Sequence, residues 1–256
     1  MDKVLYRKDG DVGYITLNNP EKNNPLDLDG LRQLVEAFRT SKTNMDRVVI
    51  YTAKGDNFTF GADLKYGLEM ITNPTLQSAG FEDAWSWQDL TSIMLEHPGI
   101  IIVGYQGWVV GGGFEHTLWA DFRVAAKGTK IMFPELNMGL FFSNASTKLI
   151  PQLIGMSKAK ELMLLGDKIT AEEAKELGLV NFVVEPKEME GFLDSLAKKL
   201  LRKAPLALTN AKYLLNHSIE NSIDHQMYLE GRLMIETAMS EECKQRLQAF
   251  MDKSKR

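Results

Sequence analysis

The glycine-rich segment 104–115 is the part of this chain whose backbone could stabilise a negative charge. It contains the triplet Gly111-Gly112-Gly113, follows an apolar stretch directly and ends at Glu115. Glycines let the backbone approach a ligand closely and leave free N–H groups at the start of a helix. Such donors suit a phosphate or a developing oxyanion. The segment matches neither nucleotide-binding glycine pattern, so a tight strand–helix connection is the alternative.

Two further loops offer a backbone donor and a carboxylate. In the loop 58–65, Gly61 permits an unusual backbone conformation and Ala62 presents an unobstructed N–H group. In the loop 133–139, Glu135 stands among aromatic and methionine residues. Burial there would raise the pKa of its carboxyl towards the range useful for proton transfer. Taken singly, the first is a common loop and the second holds what is usually a solvated glutamate.

Composition excludes several classes of protein. The 256 residues include 30 Lys and Arg against 34 Asp and Glu, and the net charge of −4 does not suggest a polyanion-binding surface. No stretch approaches the roughly 18 apolar residues that span a bilayer, and the chain begins without an apolar signal segment. The single Cys243 excludes a disulfide framework, and the four histidines lack metal-site spacing. We therefore expect a cytoplasmic protein that binds no metal, membrane or nucleic acid.

Alternating strands and helices are predicted in the first half of the chain, where they position the three loops. Apolar runs predict strands over residues 12–17, 48–52, 100–105, 122–126 and 131–133. After the first strand, helical spacing of apolar residues predicts a helix from Leu28, with Asp27 or Asp29 as its N-cap. Low periodicity predicts a loop over 69–87, ahead of a helix that ends at Leu95.

Helices dominate the prediction after residue 144. Asn144 is expected to cap a helix that ends at Gly155, and Thr170-Ala171-Glu172-Glu173 has the pattern of a capping box. One strand and five further helices are predicted in this half: a strand over 179–184 and helices over 157–166, 188–202, 205–217, 222–239 and 241–253, the last capped by Ser240. We expect an α/β core over residues 1–190 and a C-terminal helical region over 191–256.

Short motifs spread over nearly the whole chain point to one family. They are the segment 17–26, Gly61-Ala62-Asp63-Leu64, Gly111-Gly112-Gly113 with Glu115 and Asp121, Pro134-Glu135-Leu136, and the segments 166–171, 174–180 and 204–208. In this order and spacing, the chain resembles the enoyl-CoA hydratase/isomerase (crotonase) superfamily. The resemblance implies an α/β crotonase (ClpP-like) fold of repeated ββα units that form a spiral core. It also implies a C-terminal α-helical trimerisation region, in a homotrimer or a dimer of trimers.

The resemblance also implies a reaction. The substrate would be an acyl-CoA thioester, and no cofactor is implied apart from the coenzyme A that the substrate carries. The backbone N–H groups of Ala62 and Gly112 would polarise the thioester carbonyl and stabilise an enolate. Glu135 would handle the proton at the α carbon, and Glu115 would hold and activate water at the β carbon. The implied activity is that of a hydratase-like lyase acting on a 2-enoyl-CoA.

Other residues are implied to contact the substrate or its CoA. They are Lys22, Asn24, Leu26, Gly61, Asp63, Leu64, Trp108, Gly111, Phe142, Ser143, Phe250 and Lys253. Phe250 and Lys253, in the last helix, would reach the CoA of a neighbouring subunit. Trp85, Trp87 and Leu90 are expected to form a wall or lid of the acyl pocket.

The segment 141–146 departs from the family pattern. It reads Phe-Phe-Ser-Asn-Ala-Ser where a Pro-Gly-x-Gly-Gly-like run is expected, and Ser143 replaces a glycine whose backbone helps to position the catalytic water. Trp108 is also bulkier than the usual small residue before the glycine triplet. These differences give the hypothesis of a pocket altered for an aromatic, branched or cyclic acyl group.

Three alternative functions stay open. One is a double-bond isomerase, and another is a hydrolase of a thioester or a C–C bond, in which His116 could be a base. The third is a non-catalytic CoA- or RNA-binding relative, which would require a basic face. Neighbouring residues on a helix point about 100° apart, so His116 and Glu115 are not expected to face one substrate.

Overall fold

The computed structural model describes residues 2–253, without the side chains of residues 77–79, 81, 83 and 253. The chain divides into two compact units, Met1–Ala197 and Lys198–Arg256. Within the described residues, no helix is long and apolar enough to cross a membrane. The same residues contain no group of three or more His, Cys, Asp or Glu side chains placed to hold a metal ion.

In the described part of the first unit, nine strands form two sheets. They are β1 (Val4–Asp9), β2 (Val12–Leu17), β3 (Val48–Ala53), β4 (Ile100–Tyr105), β5 (Trp108–Val110), β6 (Phe122–Ala126), β7 (Lys130–Met132), β8 (Ile169–Thr170) and β9 (Phe182–Val184). The larger sheet has the order β1-β2-β3-β4-β6-β9 and is parallel except for the β1–β2 pair. Strand β4 is buried along its whole length, as parallel strands covered on both faces are.

A second, three-stranded sheet has the order β5-β7-β8. Strands β5 and β7 run parallel, with Trp108 opposite Lys130 and Val110 opposite Met132. The carboxyl ends of adjacent parallel strands lie at the same edge of a sheet. The loops that follow β5 and β7 therefore begin side by side, although they are about 20 residues apart in sequence.

Eleven α-helices occur in the described residues. They are α1 (Leu28–Thr43), α2 (Leu64–Thr72), α3 (Gln77–Leu95), α4 (Gly112–Glu115), α5 (Ser146–Ile154), α6 (Met156–Leu165), α7 (Ala171–Glu176), α8 (Met189–Leu201), α9 (Pro205–His217), α10 (Ile223–Ala238) and α11 (Glu241–Lys253). Helix α1 buries its apolar face, and helices α9 to α11 belong to the second unit.

Several predicted helix ends agree with the structure because they depend on local capping chemistry. The Asp27 carboxylate accepts the Gly30 N–H at 2.9 Å, which caps α1. Thr170 and Glu173 form both bonds of a capping box at the start of α7. The Ser240 hydroxyl accepts the Cys243 N–H at 3.2 Å at the start of α11.

The prediction of a loop over 69–87 is wrong, because α2 and α3 occupy most of this segment. Leu64, Leu68 and Ile71 are all exposed, so the apolar residues of α2 do not mark a buried face. Helix α3, which covers most of the segment, has almost no amphipathic periodicity, so the sequence signal that identifies a surface helix is missing there.

The predicted cap at Asn144 is also wrong. Helix α5 begins at Ser146, after Ala145 in a left-handed conformation with φ of 51°. The Asn144 side chain is instead buried, accepts the Thr91 hydroxyl at 3.0 Å and donates to the Ser143 hydroxyl at 2.6 Å. A buried polar side chain is stabilised by such partners, and here they compete with capping.

Candidate active site

The three loops that the sequence singled out meet in one cavity of the first unit. The cavity has a volume of about 580 Å³. Its wall includes Ala62 from the first loop, Gly111, Gly112 and Glu115 from the second, and Glu135 from the third. Most of the remaining wall is apolar. The arrangement places two carboxyl groups beside the backbone of Ala62 and Gly112 in a largely apolar cavity.

The two glutamates converge because β5 and β7 are neighbours. Gly111 follows β5, and its N–H group donates to the carbonyl of Met132, at the end of β7, at 2.9 Å. Glu115 then closes the single turn of α4, and Glu135 opens a 3-10 turn over Glu135–Met138. Gly111 has φ of 53°, and a Cβ atom there would collide with the Glu135 carboxyl. Only glycine fits this close approach.

The carboxyl groups of Glu115 and Glu135 lie close enough together that each shifts the pKa of the other. Both residues are buried, with 1% and 7% of their surface exposed. Glu115 Oε1 and Glu135 Oε2 accept a bond from no donor among the described residues. Since two ionised carboxylates cannot bond to each other, a single proton shared by the pair would satisfy both oxygens.

The pKa values of both glutamates are raised. Burial is the main cause for Glu115, followed by the charge of Glu135, and together they raise its pKa to about 8. Burial also raises the pKa of Glu135, while the N–H group of Gly112 opposes this rise. A pKa near neutrality is what a group that both takes and gives a proton requires.

The second oxygen of Glu115 is held by two donors. Its Oε2 accepts the Ser143 backbone N–H at 2.8 Å and the Ser146 hydroxyl. Ser143 therefore supplies a backbone donor, as the glycine it replaces would, but this donor binds Glu115. The sequence analysis did not identify Ser146. Its one signal was a hydroxyl residue three positions after Ser143, at the start of α5.

The loop that carries Ala62 is fixed by a bridge to the segment before α1. The Leu26 N–H donates to the Gly61 carbonyl at 2.8 Å, and the Asp63 N–H donates to the Leu26 carbonyl at 2.9 Å. In a parallel bridge of this kind, the middle residue, Ala62, directs its own N–H group to the opposite side. Gly61 has φ of 79°, and a Cβ atom there would lie 2.6 Å from the Val110 carbonyl oxygen.

His116 is not placed to act as a base. It is fully buried, and its Nδ1 lies 2.8 Å from the Gly112 carbonyl oxygen. Its Nε2 lies 3.2 Å from the Tyr51 hydroxyl. Burial lowers the pKa of His116 to about 4, so the ring is neutral near pH 7. Both ring nitrogens are engaged, which agrees with the expectation that His116 and Glu115 do not face one substrate.

Among the first-unit residues predicted to bind CoA, Asn24 and Asp63 have side chains that stabilise the fold. The Asn24 side chain is buried and donates to the carbonyls of Lys54 and Asn57 at 2.9 and 3.0 Å. Asp63 caps α2. Their side chains are therefore occupied, and contacts to CoA at these positions would come from the backbone. Lys22 is exposed, Leu26 is buried, and Leu64 lines the cavity.

The residues predicted from the C-terminal region lie in the second unit. Phe250 is 71% exposed on α11, next to a cavity of about 340 Å³ within that unit. The Lys253 side chain lies outside the described part of the structure.

The structure places some of the aromatic residues predicted to shape the pocket in the cavity wall and others elsewhere. Phe142 and Trp87 line the cavity, as predicted, and Phe141 and Phe60 do so as well. Trp108 is not among the described residues that line the cavity, and its ring lies 6.4 Å from that of Phe60, which does line it.

The predicted wall or lid of Trp85, Trp87 and Leu90 is correct only for Trp87. Leu90 is fully buried in the core, and Trp85 is 68% exposed on a different groove. These three side chains therefore project from different sides of α3 into different surroundings.

Comparisons with known proteins identify the family. The model of the family described as enoyl-CoA hydratase/isomerase matches residues 7–256. The short-chain-enoyl-CoA hydratase of Clostridium acetobutylicum is 29% identical over 257 residues, which cover 100% of this chain and 97% of the relative. The (E)-benzylidenesuccinyl-CoA hydratase of Thauera aromatica is 32% identical over 203 residues, which cover 78% of this chain and 77% of the relative.

Solved structures agree with this assignment. The crystal structure of enoyl-CoA hydratase from Bacillus anthracis has a TM-score of 0.90 at 28% identity, with 98% of this chain and 96% of that chain covered. The predicted fold class and enzyme family are both confirmed by these similarities. The chain belongs to the enoyl-CoA hydratase/isomerase (crotonase) family.

Proposed function

We propose that this protein reversibly adds water across the double bond of a 2-enoyl-CoA. The observation that carries the proposal is the close pair of Glu115 and Glu135 beside the N–H groups of Ala62 and Gly112, in one apolar cavity. Hydration needs one group that takes a proton from water and one that gives a proton to carbon. A pair of carboxyls that holds a single proton can do both.

The proposed mechanism balances over one turnover. The proton of the pair rests on Glu115, whose pKa is about 8, and the reactive form is the one in which this proton has moved to Glu135. Glu115 then takes a proton from water while the water oxygen bonds to the β carbon. The π electrons move to the thioester oxygen, where the N–H groups of Ala62 and Gly112 form an oxyanion hole. Glu135 then gives its proton to the α carbon, and the carbonyl re-forms. The pair has gained one proton and lost one, and the contact between Glu115 and Glu135 lets the remaining proton return to its starting position.

Two carboxyls favour hydration over the alternatives. An isomerase that moves a proton between two carbons can use one carboxyl, and this site has a second one, Glu115, anchored by two donors. A hydrolase would use the same oxyanion hole but needs water beside the carbonyl carbon. His116, the other candidate base, has both nitrogens engaged.

The wall of the cavity supports an apolar and bulky acyl group. Phe60, Trp87, Phe141 and Phe142 contribute aromatic rings to it. No Lys, Arg or His side chain is found among the described residues that line the cavity, so nothing there would neutralise a carboxylate at the end of the acyl chain. We therefore include an aromatic, branched or cyclic acyl group in the proposal.

The proposal extends to CoA and to assembly. Lys22, the backbone around Asn24 and Leu26, and the start of α2 at Asp63 and Leu64 would contact CoA. Phe250 and Lys253 would reach the CoA of a neighbouring subunit in a trimer or a dimer of trimers. Large apolar side chains that are exposed on α10 and α11 support self-association: Ile223, Met234, Leu247 and Phe250. A cytoplasmic location and the absence of a metal, nucleic-acid or membrane partner stay predictions.

A panel of enoyl-CoA thioesters, from crotonyl-CoA to cinnamoyl-CoA, tests the proposed reaction and acyl class. The mass of each product and the amount of free CoA are measured after incubation with the wild type and with Glu135→Gln. A gain of one water without free CoA, abolished in the variant, is the expected result. Free CoA would indicate a hydrolase, and a moved double bond at unchanged mass would indicate an isomerase.

A further inference from the structure

His116 is a buried titratable residue that the proposed reaction does not use. A carbonyl oxygen can only accept, so the bond to Gly112 places the ring hydrogen on Nδ1. Nε2 therefore carries the lone pair and accepts the hydroxyl hydrogen of Tyr51. Two bonds fix one tautomer and one orientation of the ring. The chain runs from Tyr51 through His116 to the backbone of Gly112.

The Gly112 carbonyl has two partners, and His116 provides both. It accepts the backbone N–H of His116 at the end of α4, and it lies 2.8 Å from the ring Nδ1 of the same residue. A Cβ atom at Gly112 would lie 3.1 Å from Trp87 Cη2, so the indole ring covers its Cα. His116 binds its carbonyl and also contacts the Trp87 ring, at 6.0 Å between ring centroids. The N–H group of Gly112 is on the cavity side, where it interacts with the Glu135 carboxyl in the free site.

We propose that His116, oriented by Tyr51, is a positioning residue for the oxyanion-hole donor Gly112. The inference rests on the proposed function in one respect, the role of the Gly112 N–H group at the thioester oxygen. By holding the carbonyl on one side of Gly112, His116 fixes the backbone dihedral angles that aim the N–H group on the other side. A preorganised donor is effective because it does not reorient during the reaction.

Two amide substitutions separate this role from simple packing. The amide nitrogen of Asn takes about the position of Nδ1, so His116→Asn keeps a donor for the Gly112 carbonyl. The amide of Gln takes about the position of Nε2, so His116→Gln keeps a partner for Tyr51 and loses the donor to Gly112. Asn leaves the larger cavity, and cavities in a buried site lower stability. Stability should therefore fall more in the Asn variant, and catalysis more in the Gln variant.

The readouts are kcat and KM for the best enoyl-CoA, the thermal unfolding midpoint, and the absorption maximum of bound p-dimethylaminocinnamoyl-CoA. The last shifts to longer wavelength when its carbonyl is polarised, and it reports on the oxyanion hole whether or not water adds. In His116→Gln we expect kcat to fall about 10- to 100-fold, below the roughly 100- to 1,000-fold cost of losing a donor outright. We expect KM to change little and the red shift to shrink.

His116→Asn should retain most of the red shift and of kcat. His217 provides a matched control, because its Nδ1 lies 2.8 Å from the Tyr213 carbonyl, four residues earlier in an exposed helix. His217→Gln should leave kcat and the red shift unchanged.

The inference and the proposed function can fail separately. If kcat and the red shift follow stability, so that both fall more in His116→Asn than in His116→Gln, His116 is only a packing residue and the inference is overturned. An unchanged red shift in both variants overturns it as well. The wild type could bind p-dimethylaminocinnamoyl-CoA with a red shift that is lost only in His116→Gln, and yet hydrate no enoyl-CoA. In that case the inference holds and the proposed hydration fails. A wild type that binds it without a red shift overturns the role of Gly112 and the inference with it.

Discussion

The Ser146 hydroxyl donates a hydrogen bond to Glu115 Oε2, the oxygen that also accepts the Ser143 N–H. Both donors are on one oxygen, so the other oxygen, Oε1, is left beside Glu135 and the cavity. Ser146 is fully buried at the first position of α5. The fold therefore decides which oxygen of Glu115 is free to meet water.

We expect Ser146→Ala to move the activity profile to higher pH. The hydroxyl stabilises the ionised form of Glu115 and so opposes the rise of its pKa to about 8. Without it the pKa rises further, and the decline of kcat/KM on the alkaline side begins at higher pH. The rate at pH 7 falls because less Glu115 is ionised. Profiles of kcat/KM between pH 5 and pH 10 check this.

Thr91→Val is the matched control for Ser146→Ala. It removes another buried hydroxyl, which binds Asn144 at 3.0 Å and not Glu115. The expected result is a loss of stability, about 1 to 3 kcal/mol for an unsatisfied buried partner, with the pH profile in place. Equal profiles for the wild type and Ser146→Ala would contradict the role assigned to Ser146.

Glu115→Gln is expected to stabilise the protein at alkaline pH while abolishing hydration. The pKa of Glu115 is about 8 in the folded protein and near its ordinary value of 4.5 when unfolded. The folded state binds the proton more tightly, so this contribution to stability is complete below about pH 4.5 and is lost as the pH rises to about 8. Gln has no such dependence. The variant should therefore gain stability over the wild type as the pH rises.

Urea unfolding at pH 5 and pH 8 measures this difference. A tenfold change in proton affinity corresponds to about 1.4 kcal/mol, so we expect the variant to gain at least about 1 kcal/mol more at pH 8 than at pH 5. A Gln variant that is less stable than the wild type by the same amount at both values would show that Glu115 is ionised without cost in the folded state.

Comparing Gly111→Ala with Gly128→Ala separates the cost of backbone strain from the cost of displacing the Glu135 carboxyl. At Gly111 the new methyl group would collide with the Glu135 carboxyl, and the backbone has positive φ. Gly128 also has positive φ, 87°, but a Cβ atom there meets open space. Gly128→Ala should therefore lower only stability, by about 1 kcal/mol, through backbone strain.

Gly111→Ala should in addition lower kcat by about 100-fold, because it displaces a group that exchanges a proton with substrate. Both variants are compared by kcat and by urea unfolding. Equal kcat in the two variants would mean that Glu135 does not need its observed position.

Phe141→Gly is expected to shift the acyl preference towards short chains. Phe141 lines the cavity, although 77% of it is exposed, and its ring lies 5.6 Å from that of Phe142. Removing the ring takes away contact with a large acyl group and leaves the two glutamates in place. We expect the ratio of kcat/KM for cinnamoyl-CoA to that for crotonyl-CoA to fall at least about tenfold.

Trp85→Ala is the control for Phe141→Gly, since Trp85 is an exposed aromatic residue that lines a different groove. Its ratio should equal that of the wild type. A ratio that is unchanged in Phe141→Gly as well would contradict the proposed aromatic, branched or cyclic acyl group.

The parts of the fold that could be predicted from the sequence are those set by local patterns. The run Ile100–Tyr105 is apolar at every position and forms β4 with these bounds, and the cap at Asp27 depends on a residue three positions away. Strands β5 and β8 have three and two residues, too few for a periodic pattern. They exist because of pairing with β7, which the local sequence does not encode.

The candidate site shows the same division. Glu115 and Glu135 could be selected as residue types, and the family resemblance supplied their roles. Their contact depends on the pairing of β5 with β7, and the anchoring of Glu115 depends on Ser146 reaching it from 31 positions away. The two glutamates could therefore be selected from the sequence, but their proximity and the hydrogen bond from Ser146 to Glu115 could be seen only in the structure.

Incorporation of labelled water shows whether Glu115 and Glu135 add water to the double bond. Cinnamoyl-CoA and crotonyl-CoA are incubated in H₂¹⁸O with the wild type, Glu115→Gln and Glu135→Gln, and the acyl products are analysed by mass. We expect the wild type to place one ¹⁸O on the β carbon without releasing CoA, and each single variant to lose nearly all of this product. Undiminished incorporation in either variant, or ¹⁸O found in a free carboxylate, would contradict hydration by this pair of glutamates.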